Sequence, residues 1–409
     1  MLDGFKNKLR AAFGLKAKPP KPEVPKEVVD NKYVRKAVLK SHRRRILKRL
    51  TVAFAAAAAI STGTQYFPDT VSQPLDSFMA EKGYGTDFAQ HFHSKEIRVY
   101  DRTNILYPFH LAGNATAITW REGMAETKLA AIPLAIGTPF LYSGMLWKGF
   151  TDMIPGDKLD AFSIASGGAA DQRINYIRPP ADFSLNRFMS DFSQVDGRKL
   201  EFASDRQELS RVLFQFVLLH EARHGDQDKD AFALANESDA DLYALRVMKA
   251  RGTNEALLNE AATIVAHARA INGAVGGDAA HASTFTLERG GQRMFDAHQD
   301  RAAFQRLHSV LAEADGRNPD AFPALMPRGN RYLYITLAME KDGLLDEDPG
   351  MKKAAASFVR ALGYFDQASG GKIIDPAFDL DKIDIKYLSA TYKPVPDKLT
   401  LPKAPRPNS

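Results

Sequence analysis

The chain has 409 residues, 44% apolar and 25% charged, a globular composition long enough for a large core and for two or three domains. It has no cysteine, which excludes disulfides, thiolate zinc sites and cysteine nucleophiles. The net charge of +6 is uneven: residues 1–50 hold 16 Lys/Arg against 4 Asp/Glu, so the remaining body is mildly acidic and the high pI is no argument for nucleic-acid binding.

Residues 1–42 are basic and rich in Pro and Lys, as in Lys18-Pro19-Pro20-Lys21-Pro22, and this composition predicts a disordered tail. Residues 43–64 join the cluster Arg43-Arg44-Arg45-Ile46-Leu47-Lys48 to the uncharged run Leu50 to Thr64. That pattern predicts an export signal or an N-terminal membrane anchor, and it resembles the bacterial twin-arginine signal. The positive-inside rule then puts the basic tail in the cytoplasm and the body outside it, in a bacterial cell envelope, periplasmic or anchored to the inner membrane. Residues 65–200 read as a mixed α/β part, with strand character at Glu96–Tyr100 and at Ala115–Trp120. Within it, residues 129–147 carry no charge between Lys128 and Lys148. Their length suits a membrane span, but Pro133, Gly137, Pro139, Ser143 and Gly144 interrupt it. Two prolines six apart predict a broken loop-helix element, buried or in contact with a membrane.

Residues 201–370 read as mostly helical, with helices at 205–224, 228–251, 254–271, 298–314, 330–341 and 351–366. Asp205 with Glu208 is a capping-box start for the first of these. Leu209, Val212, Leu213 and Phe216 then form an apolar stripe that His220 and His224 continue, and Gly225 supplies a stop. Residues four apart share one helix face, so both imidazoles can address one metal ion, with Glu221 within a turn of both. A catalytic zinc needs a third protein ligand and a position left for water. On the next helix Leu234, Glu237, Asp241, Leu245 and Met248 share a face, which puts the acid Glu237 on an apolar stripe as a candidate third ligand. Asp241, one turn on, can accept the N–H of a ligating histidine and fix its tautomer. The plainer alternatives are a satisfied pair of core histidines and a solvated acidic face. Residues 371–409 end in a Pro-rich stretch and predict an extended tail.

His220-Glu221-Ala222-Arg223-His224 followed by Glu237-Ser238-Asp239-Ala240-Asp241 resembles the HExxH…ExxAD pattern of gluzincin metallopeptidases, particularly their membrane-associated branch, over about residues 205–250. The resemblance implies an α+β, zincin-like fold: a small mixed sheet beside an active-site helix, then a mostly helical C-terminal half. It implies one Zn2+ per chain on His220, His224 and Glu237, Glu221 as general base and Asp241 as orienting acid. It also implies a sheet edge that pairs with an extended peptide substrate. His281-Ala282-Ser283-Thr284 with Arg289 is similar to a third His-Pro-Ser…Arg segment of that branch, without its proline, which makes His281 a candidate catalytic group. Arg223 and Asp226 depart from the family pattern, which prefers an uncharged and an apolar residue there. The expected function is a zinc-dependent endopeptidase, exported or anchored to the membrane by its N-terminal segment, acting on protein or peptide substrates and not on nucleic acid. Candidate oxyanion donors are His281, Arg289, Tyr332 and Tyr334. The competing readings are a non-catalytic zinc-containing envelope structural or interaction protein, suggested by the tails and Arg223, and a hydrolase of cell-wall amides.

Overall fold

The computed structural model describes residues 32–126, 131–153, 161–165, 173–180, 183–227, 233–282 and 297–391. Two units are distinguished, 1–60 and 61–409. All described residues of the first belong to helix α1 (Lys32–Tyr66), whose last residues fall in the second. Its alanine run at 55–59 is the best helix-forming composition there is. Residues 32–42, expected to be disordered, are thus helical, and residues 1–31 lie outside the described residues.

The second unit carries β1 (Ser72–Pro74), α2 (Leu75–Glu81), β2 (Glu96–Tyr100), α3 (Tyr107–Glu126), α4 (Ala131–Asp152), β3 (Phe162–Ala165) and β4 (Ile174–Arg178). The strands form one mixed sheet in the order β1-β2-β4-β3. β2 runs parallel to β4, with Glu96 opposite Ile174, while β1 and β3 are antiparallel to their neighbours. The remainder is helical: α5 (Arg206–His224), α6 (Ala233–Ala250), α7 (Glu255–Ile271), α8 (Ala297–Arg317), α9 (Arg328–Lys341) and α10 (Pro349–Ala368). The fold is therefore α+β and mostly helical with one small mixed sheet, as expected. Both central strands are buried on two faces because their side chains alternate. Ile97, Val99 and Ile177 enter the main core with Leu213, Phe216 and Leu219 of α5. Tyr100 and Tyr176 point the other way and join Tyr107 and Leu111 of α3 in a smaller cluster.

Three expectations are corrected. Ala115–Trp120 is not a strand but lies inside α3. The β-branched residues are accommodated because α3 packs along α4, where Trp120 donates its indole N–H to Thr138, and because Thr119 bonds back to the Ala115 carbonyl at 2.9 Å. Tertiary contact here outweighs propensity. Residues 131–152 form one continuous helix rather than broken pieces. Pro133 sits in the first turn, where no intrahelical N–H bond is lost, and Pro139 alone interrupts the ladder. Among the described residues no helix is long and apolar enough to cross a membrane. The expected C-terminal tail is also shorter: Ile383, Ile385 and Leu388 are buried in the main core, and 392–409 lie outside the described residues.

One contact fixes the sheet to α5. Asn175 of β4, fully buried, donates its amide to the Ala222 carbonyl at 2.9 Å, capping the open end of the helix. Gly225 follows with an ordinary φ of −63°, so its role is not a left-handed stop. A Cβ at Gly225 would lie 2.2 Å from the Asn175 amide nitrogen, so only glycine permits this approach. Gly225→Ala should cost about 1–3 kcal/mol, the usual range for overpacking, read as a lower urea midpoint at unchanged m-value. A midpoint equal to that of the wild type would show that Asn175 moves aside freely.

Candidate metal centre

The site forms where the C-terminal turn of α5 meets α6. Asp205 starts α5 as expected, accepting the backbone N–H groups of Gln207 and Glu208 at 2.8 and 3.0 Å. Four turns later His220 and His224 present their Nε2 atoms 3.0 Å apart, with the rings nearly perpendicular. Glu237 of α6 closes the group, with carboxylate oxygens 3.0 Å from His220 Nε2 and 3.4 Å from His224 Nε2. These three are the residues the sequence pattern predicts, and their donor atoms all lie within 4.8 Å of one another. Ligands about 2.0–2.1 Å from a tetrahedral zinc stand about 3.3 Å apart, so the spacing fits the ion.

The far side of each ring is also held. His220 Nδ1 lies 2.8 Å from Asp241 Oδ1, the place that an acid orienting a metal-ligating histidine would take. His224 Nδ1 lies 2.7 Å from Gln227 Oε1, while the Gln227 amide N–H groups go to the Asn236 carbonyl and Asp239. With an acceptor on each Nδ1, both Nε2 lone pairs aim at one point together with an anionic carboxylate. Such a convergence requires a cation or protons between the groups. Gln227 escaped the sequence reading because it follows the helix and belongs to no periodic stripe.

The pKa shifts express the same demand. Burial opposes charge on His220, but the hydrogen bonds and charges of Asp241 and Glu237 outweigh it and raise the ring to about 10. His224 is raised against burial by Glu237, and Glu237 is held well below the usual carboxylate range by both histidines. A raised histidine contributes stability that is fully present below its unfolded value near 6.5 and is lost as pH rises towards 10. The metal-stripped chain should therefore lose thermal stability between pH 6.5 and 10 more steeply than its His220→Asn variant. Equal slopes for the two would show that His220 and the acids are not coupled.

Glu221 and His281 join the same place. Together with His224, Glu237, Ile118 of α3 and residues 161–165, they line a cavity of about 600 Å³. His281 ends a short turn, Ala279–His281, with Nε2 3.2 Å from Glu237 and Nδ1 2.8 Å from Asp278. Of the other oxyanion candidates, Tyr334 is buried in α9, hydrogen-bonded to the Asp375 backbone and stacked on Phe378, and Tyr332 is buried on the same helix. Neither lines the cavity, and Arg289 lies outside the described residues. His267 packs on Tyr364, and His308 meets the Ala274 carbonyl, so both are packing residues. A larger cleft of about 950 Å³ lies along β1, lined by Asp69, Gln73, Arg102 and Arg211, and none of the metal-ligand candidates lines it.

The two departures from the family pattern have structural partners. Arg223 pairs with Asp239 at 2.8 Å and covers the Tyr243 ring. Asp226 accepts the backbone N–H groups of His93 and Ser94 at 2.8 and 2.7 Å, tying the approach to β2 onto the end of α5. Comparison with protein-family models, curated proteins and solved structures finds no match. The gluzincin resemblance therefore rests on the motif residues alone.

Proposed function

We propose that this chain is a zinc-dependent metalloendopeptidase of the gluzincin type, with a zincin-like arrangement of sheet and active-site helix. The observation that carries the reading is the convergence of His220, His224 and Glu237 on one point, beside a cavity that His224, Glu237, Glu221 and His281 line. His220, His224 and Glu237 would hold the ion, which when bound supplies charge that polarises a carbonyl and makes water acidic near neutral pH.

The protein's own groups supply the remainder. Glu221 is half-buried in the cavity wall, where its carboxylate takes the proton of the attacking water and returns it to the leaving amine. His281, its ring oriented through Nδ1 by Asp278, presents Nε2 at the cavity, and as an imidazolium it donates from there to the developing oxyanion. β3 is the terminal strand of the sheet and lines the same cavity, so its edge can pair with an extended peptide. That supports protein or peptide as substrate. Arg223, a motive for the non-catalytic reading, is accounted for by Asp239 and Tyr243.

Localisation at a bacterial envelope belongs to the same proposal. It is supported by the Arg43–Lys48 cluster before an uncharged run, and by Phe140 and Trp147, 77% and 69% exposed on α4. Exposed aromatic side chains on an uncharged stretch suit a membrane interface.

The experiment is metal content followed by turnover. The wild-type chain should carry about one zinc, and Glu237→Ala should carry much less. Glu221→Gln should keep the zinc yet lose at least about 100-fold in cleavage of labelled casein, the low end for a general base. Cleavage by Glu221→Gln at the wild-type rate would remove the mechanism. His281→Ala should likewise retain zinc while its kcat falls about 10²–10³-fold, as for loss of one oxyanion donor. An unchanged kcat would leave His281 without that role.

A further inference from the structure

Arg269 lies on α7 outside the motif, yet its guanidinium reaches behind the candidate metal centre. Nη2 donates to Asp241 Oδ1 at 2.7 Å, and Nη1 donates to the backbone carbonyl of His281 at 3.4 Å. The same Asp241 oxygen lies 2.8 Å from His220 Nδ1. Asp241 is fully buried and Arg269 nearly so. One planar group therefore spans two parts of the site that the chain supplies from different places: the acid behind a ligand on α6, and the turn that carries His281.

We propose that Arg269 is a positioning residue that locks the His220 ring and the His281 turn into a single frame, so that metal ligation and the placement of His281 are coupled. The inference rests on the metallopeptidase reading above. A residue that only neutralised Asp241 would need one donor, and a lysine would serve. The second arm of the fork ends on His281 itself, the residue whose Nε2 reaches Glu237. Arginine's rigid fork can hold both acceptors at a fixed spacing, whereas an ammonium on a flexible stem is a single point charge. Asp278, which orients the His281 ring, is also held below the usual carboxylate range, against burial, chiefly by His281 and further by Arg269. The guanidinium thus acts on both ends of the His281 turn.

The test uses the full chain and two variants, Arg269→Gln and Arg269→Lys, each with and without His281→Ala. Zinc affinity is measured by chelator competition, and kcat and KM on labelled casein. Arg269→Gln should weaken zinc binding about 10- to 100-fold, the usual cost of losing a partner behind a metal ligand. Arg269→Lys keeps the charge beside Asp241, so it should recover most of the zinc affinity but not kcat. In that background His281→Ala should cost little further, because His281 is already misplaced. The inference is overturned if Arg269→Lys matches the wild type in kcat, or if His281→Ala lowers kcat equally in the wild-type and Arg269→Lys backgrounds. It is equally overturned if a folded Arg269→Gln binds zinc as tightly as the wild type. These results differ from failure of the underlying reading, which would show as no zinc in the wild type and would remove both.

Discussion

The arrangement depends on two imidazoles set one turn apart at the end of a buried helix, each with an acceptor oxygen beside its Nδ1. A histidine free to rotate could turn its lone pair towards any donor. Here Asp241 and Gln227 fix both rings, and the Nε2 atoms face each other at 3.0 Å with Glu237 between α5 and α6. That geometry tolerates little movement, so the neighbouring structure serves to hold the end of α5 still. Asn175 caps its carbonyls from the sheet, Gly225 lets the sheet come close enough, Asp226 ties down the 93–94 backbone, and Arg223 bridges to α6. Residues that look like departures from a sequence pattern are thus part of the clamp.

The sheet carries out its part by being buried on both sides. Its Ile97, Val99 and Ile177 face anchors it to the helical core and sets its distance from α5. The opposite face meets α3 and α4 through aromatic rings and a buried ion pair, Arg178 with Asp152 at 3.2 Å, reinforced by the Tyr107 hydroxyl. A buried pair of this kind contributes more to fixing one arrangement than to net stability. What it fixes here bears on the candidate site, because Ile118 of α3 and strand β3 line one cavity with His224, Glu237 and His281.

How much of this was legible in the sequence follows from the range of the interactions. The capped start, the apolar stripe and the His-x-x-x-His spacing are local, and α5 appears within a residue of the expected bounds. Glu237 and Asp241 could be singled out because an acid on an apolar helical face has to meet something. Gln227, Asn175 and Arg269 act across the fold on groups far away in the chain, and no local pattern marks them. The strand reading of Ala115–Trp120 failed for a related reason: β-branched residues report how a side chain packs, and α4 supplied a helix-compatible neighbour. Tyr332 and Tyr334 were candidates only by chemical type, and their actual partners lie elsewhere.

Charge balance separates Glu237 from the other acids of the candidate centre. Asp241 is compensated by Arg269, and Asp278 engages His281, so neither acid needs the central position to be positive. Glu237 is different: its partners are the imidazoles of His220, His224 and His281, which are neutral unless protonated. Without a metal, a proton on the rings serves that carboxylate, and His220 is raised to about 10 against burial by Asp241 first and by Glu237 after it. A proton and a metal ion compete for the same lone pairs, and a field that binds the first so strongly is one the second can exploit.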